Sequence, residues 1–159
     1  MESILKDTDE LEKRFKVVAH ARNTVTLWDL DHVVTDQVIF SKGFYDCNGV
    51  ALLNHSFVGL SHYDTPDKHH GRKPEDYLSE LVNDFMDISN SSDISAVLIG
   101  GDKDHFEKNE DILQKRKIPI IGRFLEKPDK RGYKAKDIVV IPNTREVLMY
   151  TKGEYSKLA

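Results

Sequence analysis

The chain has 159 residues, of which 39% are apolar and 31% are charged, and this balance is typical of one folded domain and excludes a disordered segment. The formal net charge of −4 comes from scattered charges of both signs, which argues against a broad basic face and so against nucleic acid as a partner. The single cysteine excludes an internal disulfide, and no apolar stretch is long enough for insertion into a membrane.

The N-terminal segment predicts a short helix. Its apolar residues between Ser3 and Val18 recur at helical spacing: Ile4, Leu5, Leu11, Phe15 and Val18. We therefore divide the chain into a helical extension, residues 1–22, and one α/β domain, residues 23–159. Because residues 1–14 are polar and charged, they lack the pattern of a secretory signal. We expect a cytoplasmic protein, with export as an effector without a cleaved signal left open.

The segment after Asn23 is rich in strand-forming residues. Short runs of β-branched and aromatic residues occur around Val25 and from Val33 to Phe40. Two further strands, 49–53 and 58–60, are separated by the polar turn Asn54-His55-Ser56, which predicts a hairpin. Cys47 then lies at the start of the first hairpin strand, and His62 lies at the end of the second.

The second half alternates helices and strands. Residues 63–74 predict a loop, and Pro74 suits the first turn of the helix that follows. The predicted elements are a helix over 74–86, a strand over 94–99 that ends in Gly100-Gly101, a helix over 106–117, a strand over 118–124, and two strands over 137–150 around Pro142-Asn143-Thr144. This order predicts an α/β fold with helices on a mixed sheet.

Cys47, His62 and Ser41 form the first candidate site. A cysteine attacks as the thiolate, so it needs an imidazole that removes its proton and later protonates the leaving amine. A third group must hold that imidazole in place. Directly opposite residues of a hairpin are roughly 5 Å apart, so the predicted strands allow Cys47 and His62 to meet. A lone cysteine is more often a small buried hydrophobe, so the residues by themselves leave both interpretations open.

Two segments around these residues resemble a known family. The run from Val38 to Leu52, with Ser41 six residues before Cys47, and the run Val58-Gly-Leu-Ser-His62, soon followed by Pro66, are similar to the active-site region of the CheD chemoreceptor glutamine deamidases. Later segments also resemble that family: the helix after the histidine, the strand ending in two glycines, the next helix and strand, and the closing hairpin. The resemblance spans roughly residues 36–150, in the family's order.

The resemblance implies a fold and an activity. The fold would be a CheD-like layered sandwich of mixed β-sheets, with helices packed on one side. The same pairing occurs in N-terminal asparagine amidohydrolases and in the catalytic domain of cytotoxic necrotizing factors. It implies a cofactor-free deamidase with Cys47 as nucleophile, His62 as base and acid, and Ser41 as the orienting group. Its partner would be a protein with a reactive Gln or Asn, and the oligomeric state stays open.

Two departures from the family pattern bear on that activity. Asp46 stands where the family usually has a small residue, and a carboxylate beside a thiol opposes formation of the thiolate. The family's longer glycine-containing segment after the double glycine is shortened here to Asp102-Lys-Asp-His105, so the resemblance does not extend to the family's receptor specificity.

A second motif offers a different enzyme class. Within residues 25–36, a predicted strand is followed by Asp29-Leu-Asp31. This pattern is similar to the first motif of haloacid-dehalogenase-type phosphatases. In that class one aspartate attacks phosphorus, the second acts as acid and base, and magnesium binds beside them. Asp102 and Asp104 resemble the late acidic motif. Against this alternative, His32 replaces the glycine that commonly follows, and the terminal hairpin is foreign to that fold.

Two further interpretations complete the set. Histidines 69 and 70, with His55, His62 or His105, are the candidates for a metal site, but none of the pairs has helical ligand spacing, so we expect solvated loop histidines and no metal. The chain could also be a catalytically silent binding domain that keeps the fold.

Overall fold

The structure is a computed structural model that describes residues 2–65 and 72–159, with the side chains of residues 2–8 outside the described part. The helices and strands are α1 (Glu2–Ala19), β1 (Val25–Leu27), β2 (Asp31–Thr35), β3 (Ile39–Phe44), β4 (Gly49–Leu53), β5 (Val58–His62), α2 (Pro74–Ser89), β6 (Ser95–Gly100), α3 (Lys103–Lys115), β7 (Ile120–Leu125), β8 (Lys136–Ile141), β9 (Glu146–Thr151) and β10 (Glu154–Lys157).

The described strands form two mixed sheets. The first sheet has the order β1-β3-β8-β9-β10, and the second has the order β2-β5-β4-β6-β7. The pairs β1–β3 and β6–β7 are parallel, and the other neighbours are antiparallel. The chain is therefore an α/β protein with two mixed sheets and three helices in its described part, which confirms the predicted fold class in its general form.

Three apolar clusters show how these elements pack. One cluster fills the space between the two sheets, with Ile39 and Val140 from the first sheet against Ala51 and Leu60 from the second. A second cluster joins α2 and α3 to the outer face of the second sheet. The third joins α1 to the outer face of the first sheet. The order of layers is therefore helix, sheet, sheet, helices.

The prediction that the helices pack on one side is wrong. Phe15 of α1 is buried against Val139 and Leu148, which point outward from the first sheet. These side chains would be in water without a helix over them, and burying one Phe contributes about 2 kcal/mol. Arg14 also donates two hydrogen bonds to the carboxylate of Glu146 on β9, which fixes the helix on this face.

Most local predictions are confirmed. The turn between β4 and β5 is closed by Asn54, whose side-chain oxygen accepts hydrogen bonds from the backbone amides of Ser56 and Phe57 at 2.9 and 2.7 Å. Pro74 occupies the first turn of α2, as its fixed φ and missing N–H favour. Strand β10 was not predicted. It follows a turn at Lys152-Gly153, where both residues have positive φ, and it pairs with β9.

The helices can be compared with the thickness of a bilayer. None of those described combines the length and the apolar character that crossing a membrane would take.

Candidate active site

The register of the β4–β5 hairpin sets the neighbours of Cys47. Ala51 pairs with Leu60, and the same register continues outward to a bridge between Asn48 and Tyr63. The next pair along this ladder is Cys47 and Asp64. The thiol of Cys47 donates a hydrogen bond to Oδ1 of Asp64, with 3.0 Å between sulfur and oxygen. His62 is the last residue of β5 and lies two residues before Asp64, so with continued extended backbone its side chain points to the same face as that of Asp64.

The hydrogen bonds of His62 assign its tautomer. Ser41 Oγ donates to the carbonyl oxygen of Leu27 at 2.8 Å and lies 2.9 Å from His62 Nδ1. Because the single hydroxyl hydrogen goes to Leu27, Ser41 Oγ accepts from the imidazole, and Nδ1 carries the proton. The other nitrogen, Nε2, therefore carries the lone pair. It is buried and has no hydrogen-bond partner among the described residues.

The first sheet positions both groups that fix this tautomer. Leu27 on β1 and Ser41 on β3 are paired in the parallel register, so the hydroxyl lies beside the carbonyl it bonds. Both Ser41 and His62 are almost fully buried, at 0% and 1% exposure. A change at Ser41 would therefore leave two polar groups unsatisfied in the interior, and each such group costs about 1–3 kcal/mol.

Phe44 and Gly49 hold the plane of the imidazole. The rings of Phe44 and His62 are stacked, with centroids 3.6 Å apart and planes inclined by 11°. Gly49 makes room for this stack, because a Cβ at that position would lie 2.7 Å from the Phe44 ring. The imidazole is thus fixed by one hydrogen bond at its edge and one aromatic face.

Burial keeps the imidazole neutral. Desolvation lowers the pKa of His62 from 6.5 to about 4, against the opposing effect of the nearby carboxylates of Asp29 and Asp64. Above about pH 5 the ring is therefore an uncharged base, and its lone pair is at Nε2. This is the protonation state in which an imidazole can accept a proton from a thiol.

The backbone around Cys47 is fixed by two neighbouring loops. The amide of Asn48 donates to the carbonyl of Tyr63 at 2.9 Å, and the amide of Asp102 donates to the carbonyl of Asp46 at 3.1 Å. Gly101 lies directly against this segment, since a Cβ there would be 2.6 Å from Cα of Asp46. The second glycine of the predicted Gly100-Gly101 turn is therefore required by the close approach of two backbones.

The side chain of Lys136 stabilises the backbone segment that leads into Cys47. Its side chain is completely buried, and its ammonium group donates to the carbonyl of Tyr45 at 2.8 Å and to Glu126 at 2.7 Å. Burial lowers the pKa of Lys136, while the ion pair with Glu126 raises it. A buried cation with a charged partner and a backbone acceptor is satisfied in place, so it holds the chain two residues before Cys47.

The site opens into a cavity of about 580 Å³. Cys47, His62 and Asp64 line it, together with Asp29 and residues at the ends of β1 and β3. We refer to it as the Cys47 cavity. The volume is sufficient to hold one amino-acid side chain.

The predicted site residues are therefore partly brought together. Ser41 and His62 are joined by a hydrogen bond, as the sequence predicted, and Cys47 lines the same cavity as His62. The group that accepts the thiol hydrogen is Asp64, which the sequence analysis missed. The signal was present in the register, because continuing the hairpin pairs by one residue beyond Asn48 and Tyr63 places Asp64 opposite Cys47.

The aspartates named for the phosphatase alternative have different local roles in the structure. Asp29 lines the Cys47 cavity, but Asp31 is exposed and accepts a hydrogen bond from the amide of His32. Asp102 caps α3 and accepts from the amide of His105 at 2.8 Å. Within the described residues these three carboxylates do not form a group with metal-ligand spacing.

Another group of side chains in the described part does have the spacing of metal ligands. The ligand atoms of Asp46, Cys47 and Asp64 all lie within 4.8 Å of one another. These are the residues that could hold a cation at this site. Histidines 69 and 70, the sequence candidates for metal, lie outside the described residues. Of the other histidines considered, His105 is buried and its Nε2 is 2.7 Å from the hydroxyl of Tyr77.

Comparisons with known proteins give no relative. No protein-family model matches the chain, and no curated protein matches it at a significant level.

Proposed function

We propose that the chain is a cysteine-dependent amidohydrolase that deamidates a glutamine or asparagine side chain of a protein. The observation that carries this proposal is the Ser41–His62 hydrogen bond, which assigns the lone pair to Nε2 of a neutral imidazole in the cavity that contains the protein's single thiol. A nucleophile, a base and a group that orients the base are the parts that such a reaction needs.

The reaction proceeds through a thioester. His62 Nε2 accepts the thiol proton as Cys47 sulfur attacks the carboxamide carbon, and the same proton then goes to the leaving nitrogen, which departs as ammonia. Water attacks the thioester with His62 again as base, and the proton taken from the water returns to the sulfur. The net change is one amide and one water converted into one carboxylic acid and one ammonia.

The thiol changes partner during this cycle. Cys47 and His62 are diagonal neighbours across the hairpin, for which α-carbons are typically about 7–8 Å apart, and a side chain as long as imidazole bridges such a gap. The proposal requires a rotation about the Cα–Cβ bond of Cys47 that moves the sulfur from Asp64 toward His62. Catalytic hydrogen bonds commonly form only when substrate is bound, which is when we expect this rotation.

Three charged groups act on the thiol of Cys47. The carboxylates of Asp46 and Asp64 lie close to the sulfur, and negative charges at that distance disfavour a thiolate. The ammonium group of Lys136 also interacts electrostatically with Cys47, and it acts in the opposite direction. In the structure the thiol hydrogen is donated to Asp64.

The test is mass spectrometry of candidate protein substrates incubated with the chain. Conversion of Gln or Asn adds about one dalton at the modified residue, and Cys47→Ala should abolish that gain because it removes the nucleophile. Ser89→Ala, which changes a hydroxyl at the end of α2 away from the Cys47 cavity, is the matched control. Equal deamidation by the native chain and Cys47→Ala would contradict the proposal.

The phosphatase remains the second candidate, because Asp29 lines the same cavity. Its test is magnesium-dependent release of phosphate from a generic phosphate ester. Loss of that release in Asp29→Asn, with retention in Cys47→Ala, would support the phosphatase and contradict the deamidase. Absence of both activities would leave the silent binding domain of the same fold.

A further inference from the structure

The rim of the Cys47 cavity carries exposed aromatic side chains. Trp28, at the end of β1, is 73% exposed, and Tyr45, just after β3, is 54% exposed. Both line the cavity that contains Cys47. Large aromatic residues are costly to leave in water, and at the mouth of a cavity they provide flat surfaces on which a ligand can stack.

The same cavity is unevenly charged. Of the described residues that line it, three are carboxylates, Asp29, Asp46 and Asp64, and one is a cation, Lys42. Lys136, which donates to the carbonyl of Tyr45, forms an ion pair with Glu126 at 2.7 Å and also interacts electrostatically with Asp46, so these charges leave the lining with more carboxylates than cations. A concave surface with one excess sign of charge concentrates its field and attracts ligands of the opposite sign.

We propose that the cavity recognises a cationic protein segment, in which a lysine or arginine lies next to the reactive glutamine or asparagine. The carboxylates would pair with the cation, and the faces of Trp28 and Tyr45 would stack against its stem or its charged end. This inference rests on the proposed function, since it names the substrate class of the same site.

The experiment measures binding to the Cys47→Ala protein, which cannot turn substrate over. Two capped peptides are compared, one with glutamine between lysines and one with glutamine between glutamates. Trp28 is the only tryptophan in the chain, so its fluorescence reports directly on the rim, and calorimetry provides an independent affinity. We expect the lysine peptide to bind roughly tenfold more tightly at low salt, and the preference to shrink as salt screens the charges.

Two matched variants locate the preference. Asp29→Asn removes one carboxylate of the cavity without touching the thiol, and it should reduce the preference for the lysine peptide several-fold, roughly as one exposed charge pair is worth. Asp87→Asn removes an exposed carboxylate from α2, which does not line the cavity, and it should leave the preference unchanged. An equal reduction in both variants would show a general charge effect and would overturn the proposal.

Equal affinity for the two peptides, tighter binding of the glutamate peptide, or no binding of either would also overturn it. These outcomes are distinct from failure of the proposed function. Selective binding without any deamidation by the native chain would remove the enzyme and keep the cationic site. Deamidation of both peptides with equal efficiency would keep the enzyme and remove the preference for a cationic substrate.

Discussion

Two buried histidines in the described part of the chain look alike in isolation and differ in what surrounds them. His62 lies at the sheet interface, and His105 lies between α2 and α3. Each is 1% exposed, and each has one ring nitrogen with no hydrogen-bond partner in the described part of the chain. Burial lowers the pKa of each to about 4. Burial and pKa alone therefore do not separate a functional histidine from a structural one.

The difference lies in their hydrogen bonds and in the cavity. Tyr77 donates its hydroxyl hydrogen to Asn109 at 2.8 Å, so it accepts from His105 Nε2, and the lone pair of His105 is at Nδ1. Ser41 imposes the opposite tautomer on His62. His62 lines a cavity beside a thiol, whereas His105 does not line that cavity. A perturbed histidine indicates chemistry only where a nucleophile and space for a substrate accompany it.

The largest expected effect is on catalysis. His62→Gln removes the proposed base and should lower kcat/KM for deamidation by about 10²–10⁴-fold, the usual contribution of general acid–base catalysis. His105→Gln should leave kcat/KM unchanged, because it changes a ring that does not line the Cys47 cavity. Ammonia release measured for both variants checks this contrast. Equal losses would mean that the two histidines act alike, through stability alone.

The next effect is on stability in acid, where the two histidines should behave alike. A folded-state pKa of about 4 lies below the ordinary value of 6.5, so the unfolded chain binds more protons between these values. The free energy of unfolding should therefore fall as pH drops from about 6.5 toward 4, by up to about 3 kcal/mol for each histidine.

Urea denaturation at neutral pH and near pH 4.5 measures this dependence. Each single Gln variant should lose its own share of the slope between the two pH values, whatever its stability at neutral pH. A slope that neither substitution reduces would contradict the buried neutral state of the rings.

A smaller effect separates the two tautomers. Ser41→Ala leaves the carbonyl of Leu27 and Nδ1 of His62 unsatisfied, which should cost about 1–3 kcal/mol of stability for each group and let the Nε2–H tautomer of His62 appear. Ser41→Thr keeps the hydroxyl and should retain the Nδ1–H form. Tyr77→Phe should change the tautomer of His105 only. Nitrogen NMR of labelled histidine distinguishes these forms, and a mixed tautomer in the native protein would refute the assignment.

The smallest expected effect is on the reactivity of the thiol, which is the neighbour that His62 has and His105 lacks. Asp64→Asn should raise the rate at which iodoacetamide alkylates Cys47 at neutral pH by roughly fivefold, since removing a charge that lies next to the sulfur is worth about 1 kcal/mol in a solvated site. Asp87→Asn is the control. Cys47 is the only cysteine, so the label has one site. Slower alkylation in Asp64→Asn would show instead that Asp64 activates the sulfur.

The sequence predicted much of the fold because local signals carry it. The hairpin around Asn54, the proline at the start of α2, and the strand that ends in two glycines each have a local cause and are present in the structure. The position of α1 could not be predicted in the same way. Its apolar stripe shows that one face is buried, but which sheet covers that face depends on packing between distant segments.

The candidate site, like the fold, was predicted only in part. Ser41 and His62 lie within hydrogen-bond distance, as the orienting role expected of Ser41 requires, whereas Asp64, which accepts the thiol hydrogen in the structure, was not predicted. The register places Asp64 directly opposite Cys47 and His62 diagonally to it, and the catalytic pairing of Cys47 with His62 stays a prediction. Lys136 was missed because its role depends on complete burial beside Tyr45, and no short sequence pattern indicates that.

The central claim is that Cys47 attacks a carboxamide with His62 as its base. The most direct measurement uses a glutamine peptide in which the carboxamide is replaced by a chloromethyl ketone, followed by mass spectrometry of the adduct. We predict rapid adduct formation on Cys47 in the native protein and in His105→Gln, and slow formation in His62→Gln. Labelling at the same rate in all three proteins, or labelling at a residue other than Cys47, would contradict the account.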